Sequence, residues 1–230
     1  MMDAREHTIH VSEAAGDVSA LIAVPPGAWA AYVFAHGAGA NMRHSFLEKV
    51  SALLFDAGVA TLRYNFPYLE GPRRGRPDPP ARLEMTVEVA VQVANEEFAG
   101  LPLFAGGKSM GGRMTSQAAS RAALPGVRGL VFLGFPLHPP KRPGVTRAAH
   151  LSKVTVPMLF IQGTRDDLAT LELMRDVCGK LGKLATLHIV EHGDHSFRVL
   201  KRAGRTAEDA MNELRDAAIG WMRQILEGKK

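Results

Sequence analysis

Short apolar runs alternate with longer stretches of helical spacing along most of the chain. That alternation admits few folds, because it is the pattern of a mostly parallel sheet covered by helices. Thr8–Val11 and Ala20–Val24, with Gly16-Asp17 between them, predict an antiparallel hairpin at a sheet edge. Ala31–Ala35 is apolar on both faces, as a buried parallel strand should be. Val59–Tyr64, Leu101–Ala105, Gly129–Gly134, Pro157–Gln162 and Ala185–Val190 bring the candidate strands to eight. Helices are predicted over Phe46–Phe55, Leu83–Phe98, Met110–Ala123, Leu168–Leu181 and Ala207–Leu226. Pro67–Pro80 and Pro136–Pro143 read as loops over one rim. No repeat or linker of distinct composition interrupts the pattern, so residues 1–230 are expected to form one α/β domain.

Composition removes several function classes. The net charge is +5, which invites a nucleic-acid partner. The basic residues are dispersed, however, and their densest cluster, Arg73, Arg74 and Arg76, falls in a Pro/Gly-rich loop. No nucleic-acid partner is expected. The single cysteine, Cys178, excludes an intramolecular disulfide and a Cys-rich zinc site, and it favours a cytoplasmic protein. The opening residues Met-Met-Asp-Ala-Arg-Glu-His carry no apolar core of a secretory signal, and no run is long enough to span a membrane. Oligomeric state is not legible.

The chemistry gathers at strand ends. Gly107-Lys108-Ser109-Met110-Gly111 is G-x-S-x-G between a predicted strand and a predicted helix, the context such a motif requires. A serine at so sharp a turn needs small neighbours on both sides, and Gly106, Gly107, Gly111 and Gly112 supply them. A phosphate-binding P-loop is excluded, since it needs glycine where Pro102 stands.

A serine hydroxyl needs a base, and the base works best when a carboxylate orients it. Strand Pro157–Gln162 runs into Gly163-Thr164-Arg165-Asp166-Asp167, and strand Ala185–Val190 runs into Glu191-His192-Gly193-Asp194-His195. Both candidate pairs fall on the same sheet edge as Ser109, in the chain order Ser, Asp, His. Asp166 is preferred over Asp167, which adjoins the next helix and can cap it. His195 is preferred over His192 because it sits further into its loop, and Asp194 is expected to order that loop. His36, His44, His138 and His150 read as structural or surface groups. An oxyanion also needs donors. Met110 N–H, just after the nucleophile, is one. The other is expected from His36-Gly37-Ala38-Gly39-Ala40, with Ala38 N–H preferred over Gly39. Arg63, Arg113 and Arg142 are candidates for binding a substrate carboxylate, against the plainer reading of salt-bridged or solvated arginines.

With these motifs in place, the sequence resembles the serine α/β-hydrolases, of the small capless kind similar to the dienelactone-hydrolase-like group. The resemblance runs from the His36-Gly37 loop to His195 and the terminal helix. It implies an eight-stranded, mostly parallel sheet, a Ser109–His195–Asp166 triad, acyl-enzyme chemistry on a small acyl substrate, and no cofactor or metal. One departure is plain. Dienelactone hydrolases proper use a cysteine nucleophile where this chain has Ser109, so dienelactone is not assumed as the substrate. Two rival readings remain: a non-catalytic binding or scaffold module on the same fold, and acyl transfer to an acceptor other than water.

Overall fold

Runs that are apolar on both faces occupy the places where both faces of a sheet are covered. The computed structural model describes residues 3–70 and 76–228. The strands are β1 (Arg5–Ser12), β2 (Gly16–Ala23), β3 (Ala30–Ala35), β4 (Val59–Tyr64), β5 (Leu103–Lys108), β6 (Val127–Leu133), β7 (Met158–Arg165) and β8 (Ala185–Asp194). They form one eight-stranded sheet in the order β1-β2-β4-β3-β5-β6-β7-β8. β1–β2 and β2–β4 pair antiparallel and all other pairs are parallel. Every residue of β3, β4 and β5 is buried.

Among the described residues, five α-helices cover the sheet: α1 (Ser45–Asp56), α2 (Pro80–Glu97), α3 (Met110–Arg121), α4 (Leu171–Leu181) and α5 (Ala207–Leu226). Alternate residues of one strand feed two cores. Ala31, Val33 and Ala35 of β3 join the core under α2 and α3, which includes Val87, Val91 and Met114. Tyr32 and Phe34 join the core under α1 and α5, with Leu47, Leu54, Leu214 and Trp221. That two-sided use explains why β3 reads as an unbroken apolar run. Among the described residues, no helix is long and apolar enough to cross a membrane.

The element ends differ from expectation for identifiable reasons. β1 begins at Arg5, three residues early, because an edge strand is held by its backbone: Arg5 pairs with Ile22 and Glu6 with Leu21. α4 begins at Leu171 instead of Leu168. The Asp166 carboxylate takes the Leu168 N–H (2.8 Å) and the Asp166 carbonyl takes the Ala169 N–H (3.2 Å), so a turn precedes the helix. β7 and β8 continue past a bulge to an Arg165–Asp194 pair, beyond the expected ends at Gln162 and Val190. A 3-10 run over Thr146–Lys153 carries no periodicity that the sequence analysis recognised. Arg73 and Arg74, in the Pro67–Pro80 loop, lie outside the described residues.

Candidate active site

β5 delivers the serine. Ser109 follows its last residue and precedes the first residue of α3, at φ 52° and ψ −114°, a strained conformation for a residue with a side chain. The surroundings hold it there. Its N–H donates to Leu133 O (3.2 Å), and the Thr115 hydroxyl reaches both Gly106 O (3.0 Å) and Gly111 O (2.9 Å), tying α3 to β5. The flanking glycines are required by contact. A Cβ on Gly107 or on Gly111 would lie 2.4 Å from Ala35 O. With no side chain at either position, the start of α3 presses onto the end of β3. The positive end of α3 then points at the serine's surroundings.

Asp166 and His195 each sit one residue past the end of their strand, β7 and β8. His195 Nε2 lies 2.9 Å from Ser109 Oγ, and His195 Nδ1 lies 2.8 Å from Asp166 Oδ2. The carboxylate accepts, so Nδ1 carries the proton and Nε2 is left to accept from the serine hydroxyl. The Asp166 side chain is fully buried and the imidazole is 24% exposed. Gln162 Nε2 donates to the same Oδ2, while Gln162 Oε1 accepts from Phe135 N–H at 2.9 Å. Asp194 Oδ1 accepts from Ser196 N–H (2.8 Å) and Arg198 N–H (2.9 Å), closing the loop that carries His195. Asp167 and His192 are exposed and take no part in this relay.

A cleft of about 260 Å³ opens over Ser109, lined by Ala38, His44, Phe46, Lys108, Leu168 and His195, among others. The loop after β3 is brought against the serine: a Cβ on Gly37 would lie 3.5 Å from Ser109 Cβ. His36 anchors that loop. Its Nδ1 donates to Gly37 O (2.8 Å) and its Nε2 accepts from Phe66 N–H (3.1 Å), so the ring is neutral. Burial pushes its pKa down to about 4. Ala38 lines the cleft, and Met110 begins α3, where helix N–H groups have no intrahelical acceptor.

Arg63 and Arg113 are not among the residues lining this cleft. Arg63 is buried, and its Nη1 donates to Met42 O (3.0 Å). Arg113 lies one turn along α3, where burial and Arg147 lower its pKa and Glu84 raises it. A second serine–histidine contact exists, Ser116 Oγ to His150 Nε2 at 2.7 Å. Ser116 also donates to Arg113 O (2.9 Å), which uses its only proton. Burial, then the nearby Arg113, push the His150 pKa down to about 4, and among the described residues no carboxylate backs that ring. No group of three or more His, Cys, Asp or Glu side chains among the described residues is placed to hold a metal ion.

Sequence reasoning missed Gln162, whereas His36, read there as a structural or surface group, anchors the loop after β3. A polar side chain following four apolar residues of β7, four before Asp166, was the available signal for Gln162.

Known proteins place this geometry in context. A family model described as an alpha/beta hydrolase domain matches residues 28–223. A lidless α/β serine hydrolase from Xanthomonas campestris is similar in structure, with 18% identity, 95% of each chain covered and a TM-score of 0.72. A dienelactone hydrolase from Anabaena variabilis gives 21% identity over 96% of this chain and 98% of that one, with a TM-score of 0.74. Est1E from Butyrivibrio proteoclasticus, in a structure with ferulic acid bound, gives 16% identity over 90% and 96%, with a TM-score of 0.69. These likenesses are of fold, a mostly parallel sheet with flanking helices, and the Xanthomonas protein is the one described as lidless.

Proposed function

The chain belongs to the alpha/beta hydrolase family, and on that premise we propose that it is a serine hydrolase cleaving carboxylic esters or related acyl compounds through an acyl-enzyme intermediate. One observation carries the reading: the unbroken relay from Ser109 Oγ through His195 to the buried Asp166. In this mechanism His195 Nε2 takes the serine proton as Oγ attacks the substrate carbonyl. The Ala38 and Met110 N–H groups receive the oxyanion. His195 then returns the proton to the leaving group, and water repeats the sequence to release the acid. Asp166 holds the imidazole in its Nδ1–H form and stabilises the imidazolium, while Gln162 fixes Asp166.

The cleft's small volume and the lidless fold support short acyl groups. The ferulic acid held by Est1E supports a small carboxylic ligand in a related scaffold. The lone cysteine, Cys178, is buried and free, which supports work in a reducing cytoplasm. A panel of p-nitrophenyl esters and thioesters of graded chain length tests the function. kcat/KM is expected to peak at two to four acyl carbons, on the order of tenfold or more above eight, and Ser109→Ala is expected to lose at least about 10³-fold. Absence of turnover across the panel, or activity that survives Ser109→Ala, would contradict it. Added alcohols and amines separate hydrolysis from acyl transfer by product analysis.

A further inference from the structure

Lys108 occupies the position between Gly107 and the nucleophile, and the mechanism above does not use it. The residue is 8% exposed, and among the described residues its Nζ has no hydrogen-bond partner. The stem passes the oxyanion loop, with Cγ 3.7 Å from where a Gly37 Cβ would stand. The Nζ ends 5.9 Å from the centroid of the Phe46 ring and 6.0 Å from that of Phe197. A Cβ placed on Gly134 would lie 3.0 Å from Lys108 Nζ, 3.2 Å from His195 O and 3.5 Å from His195 Cε1. The ammonium and the imidazole therefore meet across a residue with no side chain. Burying an ammonium without a carboxylate is costly, and a methionine would fill the same space without that cost.

We propose that Lys108 is a positioning residue of this site: its buried ammonium acts through His195, disfavouring a proton on the imidazole, so that Nε2 stays free to accept from Ser109 at lower pH. The catalytic consequence rests on the hydrolase reading; the electrostatic coupling does not. The other charged or titratable groups around the pair come from separate elements. They are Asp166 after β7, Asp194 at the end of β8, His44 ahead of α1, and His36 after β3, which burial keeps neutral above about pH 4. Asp166 and Asp194 favour imidazolium. Both are committed elsewhere by hydrogen bonds, and neither comes within ion-pair distance of Lys108. Lys108 is the cation that offsets them. Burial lowers its own pKa to about 8, while Asp166 and then Asp194 act to raise it. It is therefore mostly charged at neutral pH.

The test is an NMR titration of the His195 ring in the wild-type protein and in Lys108→Met, alongside the acid limb of kcat/KM on a short neutral ester. In folded Lys108→Met, the ring midpoint and the acid limb are both expected to move to higher pH, as the loss of a nearby positive charge requires. If Lys108→Met does not fold, the wild-type protein decides. The His195 resonance should then show a second inflection near pH 8, where Lys108 loses its proton. Equal midpoints in wild type and folded variant, or a single-step wild-type curve where the variant does not fold, would overturn the inference. A shifted ring titration in a protein that hydrolyses no ester would support the coupling and overturn the hydrolase reading instead.

Discussion

Asp166 makes four hydrogen-bonded contacts through one carboxylate and one backbone carbonyl, and they define what its substitution does. Oδ2 faces His195 and Gln162, Oδ1 holds Leu168 N–H, and the carbonyl holds Ala169 N–H. In Asp166→Asn the amide keeps the shape but removes the charge and offers His195 the wrong donor–acceptor pattern. A loss of about 10³-fold or more in kcat is expected, with the circular dichroism spectrum unchanged. Asp167→Asn, at an exposed neighbour outside the relay, is expected to stay within about twofold of wild type. Equal losses in the two variants would contradict the assignment. Chain order and strand ends made Ser109, Asp166 and His195 legible in the sequence as candidates, and the structure brings the three side chains together. The preference between adjacent Asp166 and Asp167 was harder to read, because strand alternation and a bulge at Gly163/Arg165 decide it. Gln162 and Lys108 were not legible as partners of the site. A buried polar group declares its role only through what it faces, and Gln162 faces Phe135 and Asp166 across two elements.

The turn from β5 into α3 concentrates close contact between backbones, and stability there is sensitive to a single carbon. Gly111→Ala would drive a Cβ to 2.4 Å from Ala35 O and 2.7 Å from His36 O, backbone atoms with little freedom to retreat. A loss of about 2–4 kcal/mol is expected, lowering Tm by about 5–15 °C. Gly220→Ala, in α5 with nothing within 4 Å of the added carbon, is expected to raise Tm by about 2–4 °C through helix propensity alone. Thermal melts of the two variants check both signs, and a stabilised Gly111→Ala would refute the packing argument. Strands and helices were placed well by periodicity, since burial on one or two faces writes that pattern directly. Their ends were not, because a hydrogen bond from one side chain, such as Asp166 to Leu168 N–H, moves a helix start without changing the apolar spacing.

Taken whole, the fold brings to one sheet edge residues that lie 86 and 29 positions apart in the chain. The parallel strands do this because all of their C-terminal ends face the same way, so each strand–helix unit returns the chain to the same rim. The fold is of the lidless kind and loop residues such as Ala38 and Ser196 line the cleft over Ser109, which is why the sequence points to the reaction class more clearly than to the substrate. Among the described residues there are two serine–histidine contacts, Ser109–His195 and Ser116–His150, and the proposed chemistry uses the first. Treating the folded protein with a fluorophosphonate and locating the adduct by mass spectrometry tests that assignment most directly. The predicted result is a single adduct on Ser109, absent in Ser109→Ala and retained in Ser116→Ala. An unlabelled Ser109 in folded protein, or an adduct on Ser116, would contradict it.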